Sequence, residues 1–201
     1  MPITSPPIKI LQRAYFNRPT LQVARGLLGK YLVRRTASDL FVGMIVEVEA
    51  YVGPEDLACH ASKGRTKRTE VLFGPPGVAY VYLIYGMYYC LNVVTEREGF
   101  PAAVLIRAVA NEAHLIDGPG RLCRAFQIDL RLNRCDMSQG RDLWLEDRGR
   151  RIIASEIISA PRVGVEYAGE WAAKPWRFRL KIHPDRRRQR SARGLISSLD
   201  S

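Results

Sequence analysis

Glu47 and Glu49 lie two residues apart in the run Phe41–Tyr51. If that run is a strand, alternation puts both carboxylates on one side, about 7 Å apart along the chain. A carboxylate held in such a place is a candidate general base, able to take a proton from an attacking water. The plainer alternative is a strand that leaves the core and turns polar toward solvent. The next segment, YVGPEDLACHASKGR, is rich in turn residues and runs into further cations. It supplies Asp56, His60, Lys63, Arg65, Lys67 and Arg68. Arginine offers a planar fork of donors that matches phosphate oxygens, so Arg65, Lys67 and Arg68 are candidate contacts to a phosphate backbone.

A second concentration of chemistry falls at residues 74–94, GPPGVAYVYLIYGMYYCLNVV. Tyr80, Tyr82, Tyr85, Tyr88 and Tyr89, five of the nine tyrosines, stand within ten residues. Two β-rich runs, Val78–Ile84 and Tyr88–Val94, flank Tyr85-Gly86-Met87, which predicts a protruding hairpin with Tyr85 and Met87 at its tip. Large apolar side chains at a tip suit insertion between stacked bases. Tyr80 and Tyr82 share a strand face and can offer rings for stacking. The competing reading buries the whole tyrosine-rich hairpin against the sheet. Asn92 is polar in an otherwise apolar run, so it needs hydrogen-bond partners or has a task.

These residues need a scaffold, and 201 residues with 47% hydrophobic and 25% charged content suffice for one folded domain. The periodicity predicts a helix over Asn17–Lys30 with a Leu21, Ala24, Leu27, Leu28 stripe, capped by Asn17 or Thr20 and ended by Gly29. Strands are expected at Tyr31–Arg35, Phe41–Tyr51, near Asp142–Leu145, over Arg151–Ile158 and over Trp176–Ile182, with a helix at Gly120–Gln127 whose apolar side is Leu122, Ala125 and Phe126. In Phe41–Tyr51, Val42, Met44, Val46, Val48 and Ala50 form one apolar face against Phe41, Ile45, Glu47, Glu49 and Tyr51. The sum is one α+β domain over residues 1–185, with 186–201 a basic, polar tail.

Composition also excludes. No stretch reaches about 18 apolar residues, and Met1–Lys9 lacks a secretory pattern, so membrane spanning and export are disfavoured and a cytoplasmic protein is expected. The four cysteines, at 59, 90, 123 and 135, form no C-x-x-C pair and read as structural thiols. With three histidines and no metal-ligand spacing, neither a metal nor another cofactor is expected. Net charge is +11, and 25 of the 31 cations are arginine. Residues 1–100 carry 12 cations against 8 anions and residues 101–201 carry 19 against 12, so the excess is not confined to a tail. A solvated basic surface accounts for this as simply as a polyanionic partner does; nucleic acid is the partner to test.

Six ordered segments make the chain resemble the alkyladenine (3-methyladenine) DNA glycosylase family: ARGLLGKYLVRR, IVEVEAYVGPEDLACH, FGPPGVAYVYLIYGMYYCLNVV, AAVLIRA, GPGRLCRAFQI and APRVGVEYAGEWAAKPWRFRL. Together they span roughly residues 23–180. The resemblance implies a single mixed domain around a curved, largely antiparallel β-sheet with flanking helices. It implies monomeric action on double-stranded DNA containing damaged purines, in the nucleoid of a prokaryote or the nucleus of a eukaryote. By position it makes Glu49 the base that activates water and Arg107 its neighbour in the site. It makes Tyr51, His60 and Tyr82 the enclosure of an extruded base, with the two tyrosines stacking and His60 hydrogen-bonding. It further implies a backbone contact to the base edge at Ala58, intercalation at Tyr85 with Met87 beside it, and exclusion of normal guanine at Asn92. One departure stands out: only AVANEAHLID joins Arg107 to Gly118, where the family usually has a longer, often helical connection.

The implied chemistry is physically coherent. A glycosidic carbon is out of reach inside a duplex, so the enzyme needs a wedge, a pocket and a held water. The implied activity is hydrolysis of the N-glycosidic bond of alkylated or deaminated purines, leaving an abasic site. Two rivals compete: a non-catalytic binder of damaged or bent nucleic acid using the same basic surface and tyrosine wedge, and a module sharing only the fold with formyltransferase C-terminal domains.

Overall fold

A computed structural model of the chain describes residues 8–111 and 114–181. The expected basic tail, 186–201, and Ile182 lie outside the described residues. Ten strands form one sheet: β1 (Lys9–Ile10), β2 (Tyr31–Arg35), β3 (Leu40–Val52), β4 (Ala79–Ile84), β5 (Tyr88–Val94), β6 (Ala102–Ala110), β7 (Leu115–Asp117), β8 (Leu143–Asp147), β9 (Ile157–Ala160) and β10 (Arg177–Leu180). The helices are α1 (Arg13–Phe16), α2 (Thr20–Leu27) and α3 (Pro119–Ala125). The main strand order is β1-β8-β2-β3-β6-β5-β4, and β10 pairs with both β3 and β9. All pairings between these strands are antiparallel. The result is the expected α+β architecture, one domain on a curved antiparallel sheet.

β3 is the spine. Its 13 residues pair with β6 along one edge; on the other, Leu40–Met44 pair with β2 and Glu47–Glu49 with β10. The expected division of this strand into an apolar and a polar face does not hold. Ile45, Val46, Val48 and Ala50 are all buried, and so is Glu49. The reason is a second core. One side of the sheet packs on α2 and α3 through Val23, Leu27, Val48, Ile106, Leu122 and their neighbours. The other is covered by the segment after β3, where Cys59, Ala61, Val71 and Leu72 pack on Tyr80, Val94 and Ala103. Strands covered on both faces read as continuous apolar runs, as AAVLIRAVA of β6 does.

Several boundaries differ from the periodicity. α2 is eight residues long rather than fourteen, with Pro19 in the N-cap position, Val23 fully buried and Leu21 half-buried against the core. Neither expected cap residue caps it with its own side chain. Glu96, arriving from 76 residues away, accepts from the Thr20 N–H (2.6 Å) and hydroxyl (2.9 Å). Gly29, at φ 79°, turns the chain out of the helix as expected. In α3 the buried residues are Leu122 and Cys123, followed by Phe126, whereas Ala125 is exposed. The strand expected over Arg151–Ile158 begins only at Ile157. Residues 154–156 form a single helical turn because the Glu156 carboxylate reaches back to the Ile153 N–H at 3.0 Å, leaving Ile153 exposed. The described residues of the short connection after Arg107 are largely strand: β6 continues to Ala110 and β7 folds back on it, Ala108 opposite Asp117.

Candidate active site

β4 and β5 run antiparallel with Tyr82 opposite Cys90 and Ile84 opposite Tyr88. The turn between them closes with the Met87 N–H on the Ile84 carbonyl, 3.2 Å, and holds Tyr85 at φ 52° and Gly86 at φ 68°. A left-handed tyrosine is uncommon, and such conformations persist where surrounding structure or function sustains them. Tyr85 is 82% exposed and Met87 66%.

Beneath this turn lies a cavity of about 210 Å³ bordered by Glu49, Tyr51, Ala58, His60, Tyr82, Tyr85, Asn92 and Arg107. Eight of the twelve residues singled out from the sequence therefore meet in one place. Met87, Arg65, Lys67 and Arg68 do not border it. A roomier surface hollow near Arg179 has none of the twelve and is bordered by the outer carboxylate Glu47, so volume alone does not locate the site.

Glu49 is fully buried and held by two hydrogen bonds and an ion pair. The Val163 N–H and Arg107 Nη1 reach Oε1 at 2.8 and 3.3 Å, and the Tyr51 hydroxyl donates to Oε2 at 2.8 Å. Burial pushes its carboxyl above the usual range, partly offset by Arg107, the Val163 N–H and Tyr51. Arg107 is placed by backbone irregularity. The β3–β6 register slips on either side of Glu47, leaving Val46 and Arg107 without direct partners. Such a bulge re-aims side chains, and here the guanidinium bridges Glu47 (Nε to Oε1, 3.0 Å) and Glu49. Burial acts against the Arg107 charge, but the two carboxylates more than restore it.

His60 opens a short helical turn, its Nδ1 2.9 Å from the Tyr80 hydroxyl and its ring edge-on to Tyr82 at 4.6 Å. Burial, reinforced by the charges of Arg68 and Lys63, lowers its pKa to about 4, so the ring is neutral near pH 7. The neutral ring keeps one N–H, and whether Nδ1 donates to the Tyr80 hydroxyl or accepts from it depends on the tautomer. Tyr80, 3% exposed, borders the same cavity and meets His60 through its hydroxyl. The Ala58 N–H is committed to Asp56 Oδ1 at 3.1 Å, so any backbone contact from this residue must come from its carbonyl.

Sequence reasoning missed three contributors. Val163 acts through a backbone N–H, for which no residue type signals. Tyr167 borders the cavity while 69% exposed. Asp56, read as part of a phosphate-binding loop, is instead fully buried in a two-point ion pair with Arg162. Arg162 in turn lies over the Tyr51 and Trp176 rings at 4.8 and 5.1 Å.

Residues 14–184 match the methylpurine-DNA glycosylase family. The chain belongs to that family. It is 50% identical over 191 residues to a protein of Methanocella arvoryzae, covering 87% of this chain and 94% of that one. A protein of Legionella pneumophila strain Corby is 51% identical over 177 residues (87% and 96%), and one of Anaeromyxobacter dehalogenans 49% identical over 177 residues (85% and 83%). All three are provisionally named 3-methyladenine DNA glycosylase. The chain is accordingly a DNA glycosylase, a hydrolase of N-glycosyl bonds in base excision repair.

Asn92 belongs both to the packed interior and to the lining of the cavity. It is 4% exposed, borders the cavity and donates from Nδ2 to the Tyr80 carbonyl at 3.2 Å. Asn92→Ser is expected to lower the thermal midpoint, since an orphaned buried partner costs about 1–3 kcal/mol. It is also expected to raise excision of 7-methylguanine relative to ethenoadenine by opening space beside the base. A lowered midpoint with unchanged preference leaves only the structural role.

Proposed function

We propose that this glycosylase flips alkylated or deaminated purines from double-stranded DNA and hydrolyses the glycosidic bond with a water activated by Glu49. The observation that carries the proposal is the placement of Glu49. It is the buried carboxylate of a cavity walled by Tyr51, Tyr82 and His60, and its donors fix both oxygens. A carboxylate so fixed can orient a water and accept its proton without reorganising. Arg107 balances the carboxylate charge while Glu47 holds the guanidinium in place.

The walls suit a purine. Tyr51 and Tyr82 offer rings, the neutral His60 offers a ring nitrogen and the Ala58 carbonyl an acceptor, so the base is recognised by stacking and by hydrogen bonds to its edge. Tyr85, exposed at the mouth with Met87 two residues on, fills the gap left in the duplex. Arg65, Lys67 and the surrounding basic surface grip phosphates. Among the described residues no lysine borders the cavity, which fits a monofunctional enzyme leaving an abasic site, and we propose that it acts as a monomer.

The test is a duplex carrying one hypoxanthine or ethenoadenine, incubated with the protein and then treated with hot alkali. Strand breaks appearing only after alkali are expected. Breaks without alkali refute the monofunctional chemistry; binding with no release of base refutes hydrolysis and leaves a damage-binding protein.

A further inference from the structure

The two rings that would sandwich a base are not electrostatically alike. Tyr51 has the Arg162 guanidinium over it, but that charge is cancelled at hydrogen-bond distance by Asp56, and the Tyr51 hydroxyl donates to the anionic Glu49. Tyr82 has Arg68 over it, with Cζ 5.1 Å from the ring centroid. Among the described residues no carboxylate forms an ion pair with Arg68. The guanidinium does not border the cavity, so its charge reaches a bound base through Tyr82 rather than inside the pocket. Tyr80 and His60, packed against the same ring at 5.2 and 4.6 Å, complete a cluster with no negative charge of its own.

A ring attracts a cation through the negative potential of its face. A ring that already faces one cation has less of that potential to offer a second. A base stacked on Tyr82 would lie roughly 8–9 Å from Arg68, close enough for the two charges to repel through protein. We propose that Arg68 is a specificity-determining residue of this site, lowering the excision of purines that carry a fixed positive charge relative to neutral damaged purines. The inference rests on the proposed excision of flipped purines and names a bias within that substrate class. It also gives Arg68 a task other than the phosphate contact its place in the sequence suggests, and the two roles separate experimentally.

The experiment compares single-turnover excision of 7-methylguanine, a cationic base, and hypoxanthine, a neutral one, from otherwise identical duplexes. The proteins are wild type, Arg68→Gln and Arg68→Lys. The Gln variant removes the charge; the Lys variant keeps it. The ratio of 7-methylguanine to hypoxanthine excision is expected to rise about three- to thirtyfold in the Gln variant, allowing for partial solvent screening, and to stay within twofold of wild type in the Lys variant. Because the ratio is compared between proteins, the crowding that Asn92 imposes on guanine cancels. An unchanged ratio overturns the inference. So does an equal loss on both lesions with a shallower salt dependence, the behaviour of a phosphate contact. A wild-type protein that releases neither base instead refutes the excision reading on which the inference stands.

Discussion

Replacing Glu49 with Gln is expected to abolish base excision while leaving binding to lesion-containing duplex within a few-fold of wild type. General base assistance is worth about 10²- to 10⁴-fold, and loss of a positioned water adds to it. The structure also predicts that the substitution folds. Gln is isosteric, its carbonyl can still accept from the Val163 N–H or the Tyr51 hydroxyl, and Arg107 keeps its Glu47 partner at 3.0 Å. Single-turnover excision, binding and a melting curve on the same preparation check this. Excision by the Gln variant within tenfold of wild type removes Glu49 from the role of base.

The same carboxylate is expected to set the acid limb of the pH profile. Burial raises its pKa, and a base must be ionised to act, so excision falls as the pH drops through a value above the ordinary Glu range of about 4.3. His60 contributes nothing to that limb at milder acidity, because it stays neutral down to about pH 4. Whatever rate remains in the Glu49→Gln variant should be flat across the window in which wild type loses activity. A wild-type limb that persists in the variant would belong to another group.

The site was legible in the sequence to the extent that its residues announce themselves by type at short range. Glu49 and Tyr51 share a strand face, Tyr82 and Asn92 sit on adjacent strands, and Tyr85 occupies the turn between those strands. What the sequence could not show was which side of β3 faces solvent. Period-2 alternation was read as one buried and one open face, whereas a second core over Tyr80, Val94 and Ala103 closes the side bearing Glu49. That burial is what raises the Glu49 pKa, so its electrostatics were hidden together with the packing. Long-range caps were equally unreadable. Neither Glu96 on the end of α2 nor the Val163 N–H on Glu49, 114 residues away, leaves a local pattern.

The largest stability effect is expected at Asp56, the residue whose surroundings the sequence disguised most completely. Its carboxylate accepts from the Val52 and Ala58 N–H groups and forms a two-point pair with Arg162, whose guanidinium also donates to the Ala50 and Trp171 carbonyls. Both side chains are fully buried. Together they tie the end of β3 to the loop carrying Ala58 and to the segment carrying Val163 and Tyr167. Asp56→Ala strands a buried guanidinium, which costs about 3–5 kcal/mol. For a domain of this size, that lowers the thermal midpoint by roughly 6–20 °C. Removing the stranded charge as well, in Asp56→Ala with Arg162→Met, should recover a substantial part of the loss, because the penalty comes from the unpaired ion more than from the missing attraction. Thermal unfolding of the single and double variants measures both. An Asp56→Ala midpoint within 2 °C of wild type would show that the pair does not hold these segments together, and a double variant less stable than the single would show that the stranded charge is not the main penalty.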